Sequence, residues 1–155
     1  MGWSQNHDLG AYVGEVSAAA VCAQTAGATT PVTGVIIDLQ AVGPPLSAVV
    51  MIVFEAVLAV GKTLKFTYSL ATSAAANMSS PTVLKSQDGT LAGTAASGTG
   101  GAGGSTVDGI LTVPVNLSAA QRYLQFGFTP VLSATGTDTV TAASLLILGG
   151  AGTIT

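Results

Sequence analysis

Gly61-Lys62-Thr63 is the stretch of this sequence that comes nearest to a motif with known chemistry. The three residues follow an apolar run and match the end of a phosphate-binding loop. The motif also requires a glycine five residues before Gly61, where this chain has Ala56. It must also open a helix, so that amide groups point at the phosphates, whereas the residues that follow have the pattern of a strand. The sequence therefore predicts no nucleotide site here.

His7 and Asp8 are the second candidate, as a metal-binding or acid–base pair. His7 is the one histidine of the chain, so a Ser–His–Asp site would have to use it. It lies in an N-terminal segment whose sequence shows no scaffold to hold it, and we interpret it as a solvated histidine. We predict no catalytic residue, metal site or cofactor, and a protein that is not an enzyme.

Glu55 is the third candidate, because it is an ionisable group inside a run of apolar residues. Acid–base catalysis usually needs a second group, and no other acidic residue is close to Glu55 in the sequence. We expect Glu55 to lie at an interface or to pair with Lys62, Lys65 or Arg122.

The overall composition also favours binding to other proteins over chemistry. Hydrophobic residues make up 48% of the 155 residues and charged residues 7%, against a usual charged share of about 25%. Such a surface has little charge repulsion to keep copies apart, which favours a subunit covered in an assembly over an ordinary weakly charged domain. The net charge is −3 with four basic residues and no basic cluster, so we predict no nucleic-acid partner.

We also predict no membrane segment. The longest apolar run, Leu46 to Val60, is shorter than the roughly 20 residues that span a bilayer, and it contains Glu55. The first eight residues do not have the basic and apolar regions of a signal peptide. The single cysteine, Cys22, has no internal partner; we expect an inert thiol, with an intermolecular bridge as the alternative.

Residues 1–32 are rich in small side chains without a sustained period, which predicts an extended arm. Residues 35–39 are β-branched and predict a first strand. From 48 to 58 both parities are apolar, which is typical of a strand covered on both sides; a helix is the alternative, and the valines disfavour it. On this interpretation, replacing Val53 by Asp costs several kcal/mol.

Residues 59–62 predict a hairpin turn into 63–71, which alternates between apolar and polar positions. Residues 73–80 have the pattern of a helical turn, and 86–108 that of a loop with a flexible, glycine-rich part at 97–105. The remaining predicted strands are 110–115, 123–129 and 139–148. Short strands separated by turns predict a sandwich or a barrel.

Several segments between residues 33 and 150 resemble the small capsid decoration, or cement, proteins of tailed double-stranded DNA phages. The most specific are Gly109 to Leu117, Arg122 to Phe126, Gly136 to Ala142 and Leu145 to Gly150, and residues 35–40 and 61–74 resemble the early strands of that family. The resemblance implies an all-β, jelly-roll-like antiparallel β-sandwich at 33–155, after the arm at 1–32. Residues 86–108 are longer and richer in glycine than the family pattern, and the arm has no counterpart.

The same resemblance implies a virion protein on the outer surface of a capsid, which bridges major capsid subunits as a homodimer or homotrimer. A tail-tube, tail-tip or head-fibre component is the alternative, and a carbohydrate-binding sandwich is a further one, weakened by the few aromatic residues. As interface residues we predict two groups. The arm contributes Trp3, Tyr12 and Val13, and the apolar strand contributes Met51, Val53 and Glu55.

Overall fold

A computed structural model of the chain describes residues 17–25, 30–43, 45–87, 96–99, 104–133 and 138–149, with the backbone alone for 17–25 and Gln87. Within these ranges the chain forms strands and no helix. The strands are β1 (Ser17–Thr25), β2 (Val32–Thr33), β3 (Ile37–Asp38), β4 (Ser47–Leu58), β5 (Thr63–Ser73), β6 (Thr82–Gln87), β7 (Ala96–Ser97), β8 (Ser105–Asn116), β9 (Tyr123–Leu132) and β10 (Thr139–Gly149).

These strands form two antiparallel sheets that pack face to face. The first sheet has the order β1-β10-β4-β8. The second has the order β2-β9-β5-β6, with β3 also paired to β9 and β7 to β5. The alternating side chains of β4, β5, β9 and β10 that point between the sheets form one hydrophobic core. The predicted all-β sandwich is therefore confirmed.

The order of the strands is that of a jelly roll. The chain runs as a long nested hairpin in which β1 pairs with β10, β2 and β3 with β9, β4 with β8, and β5 with β6. This hairpin is rolled up so that β10 also pairs with β4, and β9 with β5. This arrangement of two packed sheets is one way in which antiparallel β proteins limit the number of exposed strand edges.

The strand residues begin earlier than the sequence predicts. Ser17–Thr25 belongs to the segment that we assigned to the arm, and it pairs with β10 from Thr139 to Leu146. Its small residues lack the alternation of large apolar and polar side chains that marks a strand. Tertiary contacts with β10, and not the local sequence pattern, therefore determine that this segment is a strand.

The predicted hairpin at residues 59–62 is wrong, because β4 and β5 belong to different sheets. The turn is tight, with the Lys62 N–H donating to the Ala59 carbonyl (3.0 Å) and Gly61 at a φ of 69°. It carries the chain across the sandwich, where the rings of Phe54 and Phe66 pack with centroids 5.3 Å apart. The two strands thus meet through their apolar faces and are not hydrogen-bonded neighbours.

Two loop predictions also change. Residues 74–81 form turns and bends without a helix, because the Ser73 hydroxyl accepts the Ala75 N–H and donates to the Ser79 carbonyl. Within the predicted flexible segment, Gly98 holds a fixed place beside the β4–β5 turn. Its N–H donates to the Lys62 carbonyl at 2.8 Å, and a Cβ there would overlap the Ala59 carbonyl oxygen.

Candidate interaction surface

The outer face of the first sheet is the most distinctive surface in the described part of the chain. In β4, the even-numbered side chains from Ala48 to Leu58 are buried in the core. The odd-numbered side chains point away from the core and are half-buried or exposed. The sequence predicts cover on both faces of this strand, whereas the described residues cover one. Within the described part of the chain, the second apolar face stays open.

The pairing register extends this face over three strands. Each outward residue of β4 has one neighbour on β8 and one on β10, and these three positions form a row across the sheet. Three successive rows are mostly apolar: Pro114–Val49–Ile147, Thr112–Met51–Leu145 and Ile110–Val53–Ala143. We call these nine residues the outer apolar face. Val53, on the central strand of this face, is 38% exposed, and Ile110, in the same row on β8, is 59% exposed.

The next row changes the chemistry at one end of this face. Glu55 lies opposite Asp108 on β8 and opposite Thr141 on β10, and all three residues are exposed. Two carboxylates directly opposite each other on neighbouring strands repel, so this pair costs stability in the isolated chain. The outer apolar face therefore ends in a concentrated negative charge.

The corresponding face of the second sheet is mostly polar, with Val83 and Val131 as apolar exceptions. Its strands β5 and β9 also alternate, and their outward positions are half-buried. The outward residues include Lys65, Thr67, Ser69, Gln125 and Thr129. One side of the sandwich is thus fitted to water and the other to apolar contact.

The structure places the predicted interface residues in two groups. Met51, Val53 and Glu55 lie next to one another on the outer face of β4. Trp3, Tyr12 and Val13 lie outside the described residues, as do His7 and Asp8. Sequence reasoning missed the β8 and β10 contributions, Ile110, Pro114 and Leu145 among them, because the order of the strands is needed to bring them together.

Glu55 has none of the three basic partners proposed for it among the ion pairs of the described residues. Arg122 instead forms a forked pair with Asp38, with its Nη2 2.8 Å and its Nε 3.1 Å from carboxylate oxygens. Lys65 points outward from the opposite sheet. The odd position of Glu55 in β4 explains the difference, since it turns the carboxylate out of the sandwich.

A shallow groove at one end of the sandwich is the second candidate site. Leu39, Leu46, Leu117 and Ala120 line it, with Arg122 at the rim. The guanidinium group of Arg122 is bound by Asp38 and stacks over the ring of Tyr123, 5.0 Å from the centroid. This charge is already matched within the chain, and Gln40, Ser118 and Gln121 also line the groove, so it offers a mixture of apolar and neutral polar contacts.

The aromatic side chains in the described part of the chain serve the core. All four phenylalanines and Tyr68 are buried, and burial raises the pKa of the Tyr68 hydroxyl. Tyr123 is half-buried beneath Arg122. A sugar-binding sandwich presents exposed aromatic platforms, and this part of the chain shows none.

Other kinds of site leave no trace within the described ranges. No group of three or more His, Cys, Asp or Glu side chains comes together there as a metal site would require. Nor does that part of the chain contain a helix able to cross a membrane. No protein-family model matches the chain, and no curated protein matches it significantly. The function is therefore inferred from the fold and from the surface of the sandwich.

Proposed function

We propose that this protein is a structural subunit that decorates the outside of a tailed-phage capsid and stabilises it by bridging major capsid subunits. The observation that carries the proposal is the outer apolar face, where three rows of the first sheet contain no charged residue. The opposite face of the molecule is mostly polar, so one side fits a protein shell and the other fits water. The jelly roll and the family-like segments at residues 109–117 and 122–126 agree with this role.

The energetics of such a subunit depend on its number of copies. Burial of apolar surface contributes about 25 cal/mol per Å², so on the order of 300 Å² per copy gives about 7.5 kcal/mol before the costs of association. Many such contacts around a closed shell act together and hold neighbouring capsid subunits in place. Contacts without charge also change little with salt, which suits a particle that meets varied surroundings.

The test is binding to undecorated heads made from the major capsid protein of the same genome. The full chain is mixed with heads, and its occupancy is measured after sedimentation. Val53→Asp places a charge on the central strand of the outer apolar face, and Thr67→Asp places the same charge on the polar face. We expect Val53→Asp to lower the apparent affinity at least tenfold, because the carboxylate must lose its water on contact. Thr67→Asp should bind as the unmodified chain does.

Two results would contradict the proposal. One is a full chain that binds purified tails and leaves heads bare, which would favour the tail component. The other is equal loss of head binding in Val53→Asp and Thr67→Asp, which would remove the outer apolar face from the contact. Circular dichroism of both variants shows that a loss of binding is not a loss of fold.

A further inference from the structure

One edge of β8 pairs with no strand of the described residues, and capsid binding does not explain it; we call it the free edge of β8. β8 is a strand of 12 residues at one end of the first sheet, and β4 is its one paired neighbour in the described part of the chain. A long edge strand presents backbone donors and acceptors to any strand of suitable register. Ile110, the most exposed large apolar residue of β8, lies in the middle of this edge.

The ladder shows which backbone groups point outward. The Leu117 N–H donates to the Leu46 carbonyl (3.0 Å), and these residues continue the register of β8 with β4. Odd-numbered residues of β8 therefore hydrogen-bond to β4, and even-numbered residues turn their backbone groups to the free edge. Pro114, which has no N–H to donate, is even-numbered and so leaves the ladder with β4 intact.

The sequence of this edge is complementary to itself when two copies run antiparallel about a two-fold axis at Ile110. On the outer face, Ile110 then meets Ile110, and Asp108 meets Thr112, whose hydroxyl can donate to the carboxylate. On the inner face, Gly109 lies opposite Leu111, where the missing side chain leaves room for leucine. Pro114 lies opposite Thr106, at the ends of the shared ladder, where one missing donor matters least.

Three nearby registers are worse. An axis at Asp108 sets two carboxylates against each other, and an axis at Gly109 sets Asp108 against Ile110. An axis at Thr112 brings Pro114 against Ile110, next to the centre, and removes hydrogen bonds from the middle of the ladder. Of the four registers compared, only the one centred on Ile110 has three properties together. It sets Asp108 opposite a hydroxyl, places Pro114 near the ends of the ladder and pairs Ile110 with Ile110.

We propose that two copies of this chain pair through the free edges of β8, antiparallel and centred on Ile110, to form one continuous eight-stranded sheet. The occupant of the edge is thus a second copy of the same strand, in an isologous contact. The pairing sets the two outer apolar faces side by side and brings Val53 of each copy toward the shared centre. It does not depend on capsid binding and is tested without capsids.

The experiment uses the full chain with Cys22 replaced by Ser. In the Ile110→Cys variant the two new cysteines face each other as a hydrogen-bonded pair, with Cα atoms about 5.5 Å apart, within the range of a disulfide. In the matched Thr112→Cys variant the two cysteines are about 14 Å apart and cannot be bridged. With added oxidised glutathione to accept the two electrons and two protons of the thiols, we expect Ile110→Cys to form a disulfide-linked dimer under native conditions. We expect little linking when the same oxidation is carried out in denaturant, and none from Thr112→Cys.

Sedimentation across a concentration series gives the second readout. The unmodified chain should be a dimer that Ile110→Lys converts to monomer, because two ammonium groups would meet at the axis. Thr141→Lys adds the same charge to the same face away from the β8 edge, and it should remain a dimer. A monomeric unmodified chain, equal linking of the two cysteine variants, or a dimer that Ile110→Lys leaves intact would each overturn the proposal.

Discussion

Two aspartates show how differently this fold treats single charges. Asp38 accepts a fork of hydrogen bonds from Arg122 and a further one from the Gln40 N–H (3.0 Å), at the point where β3 joins β9. The hydrogen bonds from Arg122 hold the pKa of the Asp38 carboxyl below its usual value, and Asp38 raises the pKa of Arg122. Asp108 instead lies opposite Glu55, where a positively charged group of another molecule would relieve the repulsion between the two carboxylates.

The Asp38 pair predicts a pH dependence whose sign follows from its lowered pKa. The folded state holds the charged carboxylate more tightly than the unfolded chain does, so the contribution is present at neutral pH and is lost as the pH falls through the folded pKa. We expect Asp38→Asn to be less stable than the unmodified chain at neutral pH, by a small amount because the pair is largely exposed. Denaturant unfolding at a series of pH values should show the two proteins converging in acid.

Asp108→Asn is the matched control for that series. It removes one of two opposed carboxylates, so it should leave stability unchanged or raised at neutral pH. A difference between Asp38→Asn and the unmodified chain that stays constant down to strongly acidic pH would contradict the assignment of the effect to the charged pair.

At the scale of the element, the alternation of β4 predicts that substitutions at two neighbouring residues have very different effects on stability. Ile52 is fully buried between the sheets, whereas Val53 points outward and is 38% exposed. Ile52→Ala should cost about 2–5 kcal/mol in the free energy of unfolding, through lost burial and a cavity. Val53→Asp should cost no more than about 1 kcal/mol in the isolated chain, in contrast to the several kcal/mol that the sequence alone predicts.

Urea unfolding of both variants as isolated chains measures this contrast. A Val53→Asp variant that loses as much stability as Ile52→Ala would mean that the outer apolar face is covered within one chain. Such a result would leave the residue unavailable for either proposed contact.

β4 and β5 also show how far the sequence predicts this fold. The alternation of β5 and the valine-rich run of β4 fix both strands to within two residues of their observed bounds. They do not fix the partners: residues 59–62 have hairpin chemistry, yet the strands separate into two sheets. β1 and β6 went unpredicted, because small or polar residues carry little periodic signal.

The candidate site divides in the same way. Met51, Val53 and Glu55 were predicted from one strand, since their alternation is local. Ile110 and Leu145 lie far away in sequence and join them through strand order alone. Likewise, no local signal places Asp108 opposite Glu55, or marks Gly98 as a fixed residue of its loop.

At the scale of the whole molecule, the pairing of β1 with β10 predicts what truncation does. Deletion of residues 2–16 ends before β1, whereas deletion of residues 2–25 removes it and bares one edge of β10. We expect the shorter deletion to keep the thermal stability of the full chain. The longer deletion should melt at a lower temperature and aggregate more readily, because a central strand has become an open edge.

Calorimetry and light scattering of the two truncated chains distinguish these outcomes. If both deletions melt together with the full chain, β1 contributes nothing to the sandwich. The shorter deletion also removes Trp3, Tyr12 and Val13 while it leaves β1 in place. If this truncated protein keeps its stability but binds heads less tightly, the arm contacts the capsid.

The nested hairpin also sets the order in which the protein can be completed. β1 is synthesised early, but its partner β10 begins 114 residues after β1 ends, counting from Thr25 to Thr139. At about 5–20 residues per second, β1 waits roughly 6 to 23 seconds on the ribosome before that partner exists. β10 must then enter between β1 and β4, so the last of the described strands closes the sheet. The first sheet therefore stays open on both sides of its missing strand until β10 has been made, which makes this interval the period of greatest exposure to misassembly.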